Sequence, residues 1–185
     1  QVFAKDGSAS ISLKDIGNCA MANNGKALEV TESHSSPVSP PPFMVGMAEI
    51  EMDQETCDFE LVNYVAVVDC GTPINPAIAR VQTEGGLGQG IGMAMFEDVT
   101  RSEKGQVYEN SFMQYKLPTR VDVGNIRVEF ESSYEPTGPF GVKSIGEVVI
   151  NTPSPAIAAA VANATGVQIR ELPITPEKIF KELHK

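Results

Sequence analysis

The stretch that most constrains this chain is PAIARVQTEGGLGQGIGMAMFEDV, from Pro76 to about Val99, which opens with helix signals and then sets Gly85, Gly86, Gly88, Gly90 and Gly92 inside the helix. Asn75 is a natural N-cap, and Pro76 suits the first helical position. Five glycines in a helix interior cost about 4 to 5 kcal/mol against alanine, at roughly 1 kcal/mol each, so something outside the helix must offset them. One source is close packing of another backbone along small faces formed by Gly86 with Gly90 and by Gly88 with Gly92. The other is a flat, side-chain-free surface for a large cofactor, with the amides of Gln82 and Gln89 binding polar ring edges or phosphates. The two are compatible. GLGQGIG also fits a loose phosphate-loop pattern, but its glycines follow a helix start rather than a strand end, and no Walker lysine follows.

A second glycine-rich stretch, GPFGVKSIGEVV from Gly138 to Val149, sets one carboxylate, Glu147, on flexible backbone just before an Ala-rich helix. Gly138, Gly141 and Gly146 permit close approaches that a Cβ would block, so a bulky ligand has room beside Lys143 and Glu147. The plain reading is an i,i+4 Lys143–Glu147 surface pair on a helix, worth a few tenths of a kcal/mol. Gly146 and the β-branched run Val142, Ile145, Val148, Val149 and Ile150 argue against a helix there. Glu147 is therefore a candidate catalytic or ligand-binding acid.

Around these two stretches the pattern predicts an α+β fold, a mixed β-sheet packed against the long Gly-rich helix and two shorter C-terminal helices. The opening gives a short strand at Ile11 to Leu13 and a weak helix from about Leu13. Serines and Pro37, Pro40, Pro41 and Pro42 mark a linker. The domain division is thus 1–42, a partial N-terminal segment with its linker, and 43–185. Phe43 to Val68 reads as a hairpin whose return strand, Val62 to Val68, is apolar enough for burial on both faces and a central place in the sheet. A short strand near Val107, an amphipathic strand from Asn125 to Ser132 and a last strand from Val167 to Leu172 follow. Helices are expected from Pro155 to Thr165, stopped by Gly166, and from Glu177 to His184, with Ile179, Phe180 and Leu183 inward.

Composition narrows the function classes. A formal net charge of −10 over 185 residues disfavours nucleic acid and anionic membranes, which call for clustered cations. No apolar run is long enough to span a bilayer, and the expected location is the cytoplasm. Cys19, Cys57 and Cys70 are too scattered for a disulfide framework, a zinc site or an iron–sulfur cluster. With His34 and His184 as the imidazoles, no metal site built from side chains is expected, so any metal arrives held by something else.

From about Phe43 onward the chain resembles the carboxy-terminal part of the molybdenum-cofactor-binding subunit of the xanthine dehydrogenase and aldehyde oxidase family, the molybdenum hydroxylases. The resemblance rests on VVDCGTPINPAIARVQTEGGLGQGIGMAMFED, then YKLPTR, then GPFGVKSIGE followed by SPAIAAAVANA and ITPEKI, in family order. It implies molybdopterin as cofactor, in a simple or dinucleotide form, and Glu147 as general base in a hydroxylation of a heterocycle or aldehyde with water-derived oxygen. It further implies Gln82, Gly85, Gly86, Gly88, Gln89, Gly90 and Gly146 at the cofactor, with Lys143 at the substrate or just behind it. Iron–sulfur clusters and FAD are expected on partner polypeptides, and the remaining part of the molybdenum subunit is itself an expected partner. Val148-Val149 stands where relatives often carry prolines. The start of the chain suits a fragment, inactive alone. The competing classes are a non-catalytic interaction domain and a nucleotide-phosphate-binding domain built on GLGQGIG.

Overall fold

The computed structural model describes residues 1–185 apart from the side chain of Asn24. The chain divides into two compact units, residues 1–36 and 37–185. In the first, β1 (Val2–Phe3) pairs antiparallel with β2 (Ser10–Ile11), and α1 (Leu13–Asn24) follows. Ser12 caps α1 by accepting the Asp15 N–H at 3.0 Å, and Gly25, at φ 62°, ends it.

The second unit is built on a hairpin of β3 (Phe43–Met52) and β4 (Phe59–Asp69), in register from Phe43 opposite Asp69 to Met52 opposite Phe59, with an irregularity at Glu49/Ile50. Asp53 makes the turn by accepting the Glu55 and Thr56 N–H groups. The third strand, β5 (Asn125–Phe130), runs parallel to β4, so the sheet is mixed with order β3-β4-β5 and β4 is central. Parallel neighbours need a crossover. The glycine-rich helix α2 (Pro76–Met95) lies in that crossover, capped by Asn75 Oδ1, which accepts the Ile78 N–H at 3.1 Å.

One face of the sheet is dry. Tyr64, Ala66 and Val68 of β4 and Val128 of β5 are fully buried in one cluster with Leu87 and Ile91 of α2. The same cluster takes in Ile157 and Val161 of α4 (Pro153–Thr165) and Ile179 of α5 (Pro176–Leu183). Val65 and Val67, on the opposite face, are only half-buried, which corrects the expectation that β4 is covered on both sides.

Other local expectations are also corrected. No helix runs through Lys143–Glu147, as expected, but the β-branched residues after Glu147 do form one, the short α3 (Val148–Asn151), with Val149 fully buried on α2. Helix α4 begins at Pro153 rather than Pro155; Thr152 makes no side-chain cap there, and its hydroxyl instead accepts the Tyr64 Oη–H at 2.9 Å. Residues 167–172 form no strand: Val167 and Ile169 pack against the core without pairing. Near Val107 there is only an isolated bridge to Arg101. On α5 only Ile179 is buried; Phe180 is exposed and stacks on His184, and Leu183 is 40% exposed. Among the described residues no helix is long and apolar enough to cross a membrane.

Candidate functional site

The glycines of α2 divide between two faces. A Cβ on Gly86 would lie 2.2 Å from Val149 Cγ2, and one on Gly90 would lie 2.6 Å from Pro153 Cγ and 2.9 Å from the Ile150 carbonyl oxygen. These two glycines let α3 and the start of α4 approach the helix, so the cofactor contact expected of Gly86 and Gly90 is corrected: both are buried under protein. Gly92 is covered as well, by Glu97 and Pro118. There the Tyr115–Arg120 stretch docks on the end of α2, with Tyr115 Oη donating to Glu97.

The other face is open. Gly85 and Gly88 have nothing within 4 Å of a Cβ position, and Gln82 and Gln89, exposed beside them, keep their amides unengaged by any described residue. Helix interior N–H groups are already bonded within the helix, so GLGQGIG, lying wholly inside α2, has no amide loop to cradle a phosphate. What it offers is bare surface flanked by side-chain amides.

The N-terminal half of this face borders a concavity of about 410 Å³, lined by Ile74, Ile78, Gln82, Lys143, Ile145 and Gly146 among others. Such a volume lies within the range of small-molecule sites. Its far wall is the 138–146 loop, stitched to the β4–α2 connection by backbone bonds. Lys143 N–H donates to the Cys70 carbonyl at 2.7 Å, Thr72 N–H to the Gly141 carbonyl at 2.8 Å, and Gly71 bridges Val142. Gly71, at φ 70°, has no alternative residue: a Cβ would stand 2.3 Å from the Gly141 oxygen.

The Lys143 side chain does not point toward Glu147. Its Nζ donates to Asp69 Oδ2 at 2.6 Å, and the two side chains are 9% and 20% exposed. The same ammonium lies 5.3 Å from the Phe43 ring centroid. Asp69 Oδ1 accepts the Ser133 hydroxyl at 2.6 Å and the Gly71 N–H at 2.9 Å. Desolvation pushes the Asp69 carboxyl upward, but the bonds from Lys143, Ser133 and Gly71 outweigh it and hold the group at about 2. The Lys143–Glu147 surface pair is therefore excluded, and Lys143 is committed to holding the loop rather than free for a substrate.

Glu147 caps α3 with no side-chain hydrogen bond, and its exposed carboxylate has no partner among the described residues. Its backbone is fixed from both sides, by Lys143 four residues before and by buried Val149 two residues after. The structure thus brings Gln82, Lys143 and Gly146 to one concavity, leaves Gly85, Gly88 and Gln89 on the open helix face that borders it, sets Glu147 directly after Gly146 in the chain, and packs Gly86 and Gly90 under protein. Sequence reasoning missed Asp69, although an acid closing the apolar run VAVVD is a signal. It also missed the apolar lining of Ile74 and Ile78, exposed on the first turn of α2 and just before it.

A large planar, polar-edged group fits this surface. The bare glycines allow it to lie against the helix, the glutamine amides both donate and accept, and the neutralised Lys143 leaves the concavity suited to ring edges rather than to phosphate charge. No group of three or more His, Cys, Asp or Glu among the described residues is arranged to hold a metal ion.

Comparison with known proteins bears on the same surface. The sequence profile of the molybdopterin cofactor-binding domain family matches residues 1–124, beginning well before Phe43. The chain is 34% identical over 177 residues to the xanthine dehydrogenase molybdenum-binding subunit of Escherichia coli O157:H7, covering 94% of this chain and 24% of that one. That alignment passes the profile's limit and takes in Gly138 to Val149. It is 37% identical over 142 residues to the 6-hydroxypseudooxynicotine dehydrogenase complex subunit gamma of Paenarthrobacter nicotinovorans, covering 75% of this chain and 18% of that one. Among solved structures, quinoline 2-oxidoreductase from Pseudomonas putida 86 superposes with a TM-score of 0.70 at 36% identity, over 75% of this chain and 18% of that one. The chain spans about a quarter or less of the length of these relatives.

Proposed function

The chain belongs to the molybdopterin cofactor-binding domain family, and from that membership we propose that it works as part of the molybdenum subunit of a larger hydroxylase, acting on a heterocycle or an aldehyde with oxygen derived from water. The relatives' names, for xanthine, quinoline and a dehydrogenase complex, support this class and an assembly of several subunits. Iron–sulfur and flavin groups on partner polypeptides are the route proposed for the electrons.

The bound molybdenum cofactor supplies the redox chemistry. The residues of this chain bind, orient and move a proton. Gln82 and Gln89 would hydrogen-bond the polar edges of the pterin, and Gly85 and Gly88 would leave the helix face bare for it. Gly146, with nothing within 4 Å of its Cβ position, keeps the space in front of Glu147 clear. Glu147 takes a proton at a carboxylate oxygen, a role that needs an ionised acid with no competing partner. Lys143 holds the loop. The observation that carries the reading is the pairing of a partnerless carboxylate with a rigidly anchored backbone, beside a concavity that borders a glycine-bare helix face.

The test is Glu147→Gln in the whole enzyme. Glutamine keeps size and reach but cannot accept the proton, so turnover should fall 10²- to 10⁴-fold, about 3 to 5 kcal/mol of barrier, with molybdenum content unchanged. A rate within about threefold of the parent removes Glu147 from the mechanism.

A further inference from the structure

The Asp69 carboxylate sits at the end of the central strand and collects three donors from three chain segments: Gly71 N–H of its own turn, Ser133 Oγ of the link after β5, and Lys143 Nζ of the 138–146 loop. With both oxygens engaged and the Lys143 side chain 9% exposed, this is a nearly closed junction rather than a surface pair. It lies where β4, the most buried strand, passes its rigidity to the loop. From Lys143 the chain reaches Glu147 through Ser144, Ile145 and Gly146, of which Ile145 alone is partly buried. Beyond Glu147 the next firm anchor is Val149, packed over Gly86 of α2. The position of Glu147 relative to Gln82 and Gly85 is therefore set by the backbone bonds that join Gly141, Val142 and Lys143 to the β4–α2 connection, by the side-chain tie of Lys143 to Asp69, and by Val149 on the helix.

We propose that Asp69 is a positioning residue for the reaction: acting through Lys143, it fixes the 141–147 backbone and so the placement of the Glu147 carboxylate against the open face of α2. This rests on the reading of Glu147 as the base. An ångström of misplacement at a reacting group costs on the order of 10²-fold in rate, so an acid that lies outside the concavity, acting through Lys143 in its wall, still governs turnover.

The experiment uses the holoenzyme with Asp69→Asn, and with Asp69→Asn combined with Lys143→Met so that no unpaired ammonium is left buried. In both, hydrogen exchange of the Gly141, Val142 and Lys143 amides, which are the hydrogen-bonded ones of this segment, should accelerate at least tenfold, while exchange in β4 and α2 stays at the parent level. Turnover per bound molybdenum should fall about 10- to 100-fold, with KM within about threefold of the parent. The double variant should regain thermal stability but neither the protection nor the rate, which separates positioning from a merely structural role. If Asp69→Asn fails to accumulate, the double variant decides alone. Parent-like exchange of these three amides, or parent-like turnover per molybdenum while Glu147→Gln is inactive, overturns the proposal. If Glu147→Gln itself keeps the parent rate, the base assignment falls instead, and the exchange measurement still reports whether Asp69 holds the loop.

Discussion

Gly88→Ala and Gly90→Ala make the same chemical change two residues apart on one helix, and the structure gives them opposite signs. At Gly90 the new methyl meets Pro153 Cγ at 2.6 Å, the Ile150 carbonyl at 2.9 Å and Pro153 Cβ at 3.0 Å. A proline ring and a backbone carbonyl cannot rotate away, so the upper part of the 1 to 3 kcal/mol range for overpacking applies. Against this stands about 1 kcal/mol of helix propensity gained on replacing glycine, leaving a net loss of about 1 to 2 kcal/mol. At Gly88 nothing lies within 4 Å, so the propensity gain stands and the variant should be more stable by about 0.5 to 1 kcal/mol. In thermal melts of the whole cofactor-free protein, at about 2 to 4 °C per kcal/mol for a body of this size, Gly90→Ala should lower Tm by about 2 to 8 °C and Gly88→Ala raise it by about 1 to 4 °C. In the assembled enzyme the order of benefit reverses: Gly88→Ala, though more stable, should carry less molybdopterin because its methyl stands on the face offered to the pterin. Equal losses of Tm in the two variants would refute the division of faces. Full pterin content in Gly88→Ala would refute the use of the open face.

Other outcomes follow from single contacts. Asp69 is held at about 2, below its ordinary 3.8, so its contribution is fully present above about pH 4 and is lost as pH falls through about 2. The shift of 3.8 − 2 = 1.8 corresponds to at most about 2.4 kcal/mol, and partial exposure reduces this to about 1 to 2; urea midpoints at pH 5, 3 and 2 should show the drop in the parent and a flatter profile in Asp69→Asn. Asn75→Ala removes the oxygen that accepts the Ile78 N–H at the start of α2 and should cost about 1 kcal/mol, read as a Tm fall of about 2 to 4 °C; an unchanged Tm would show that water replaces the cap freely. The isolated 185-residue polypeptide should unfold cooperatively yet oxidise no purine or aldehyde with a dye acceptor, even when molybdopterin is supplied. Turnover by this chain alone would contradict that.

The sequence by itself determined what local chemistry settles. Asn75-Pro76 and Thr175-Pro176 start helices because a side-chain oxygen reaches the N–H three residues on and proline lacks the N–H that would otherwise be orphaned. Gly166 ends α4 at φ 80° because glycine meets no Cβ penalty there. Alternation along Phe43–Met52 made one strand of the hairpin legible, since a two-residue period can satisfy only a sheet face, and the apolar return strand is central as expected although it is not buried on both faces. The concentration of glycine in α2 and the isolated acid of GPFGVKSIGEVV were legible for the same reason: each is a local choice that makes no sense for a freestanding helix or loop.

What required the tertiary structure is everything that depends on which distant segment comes to rest beside a residue. The same glycine pattern is packing at Gly86 and Gly90 and open surface at Gly85 and Gly88, because α3 and α4 cover one side of the helix and not the other. Alternation at Val167 and Ile169 signalled burial, yet strand formation needs a partner's hydrogen bonds and none arrives. Lys143 lies four residues from Glu147 in sequence, but its charge is answered by Asp69, 74 positions away. Coulomb attraction and desolvation act through space, so a side chain's neighbours along the chain do not fix its electrostatic partner; the fold does.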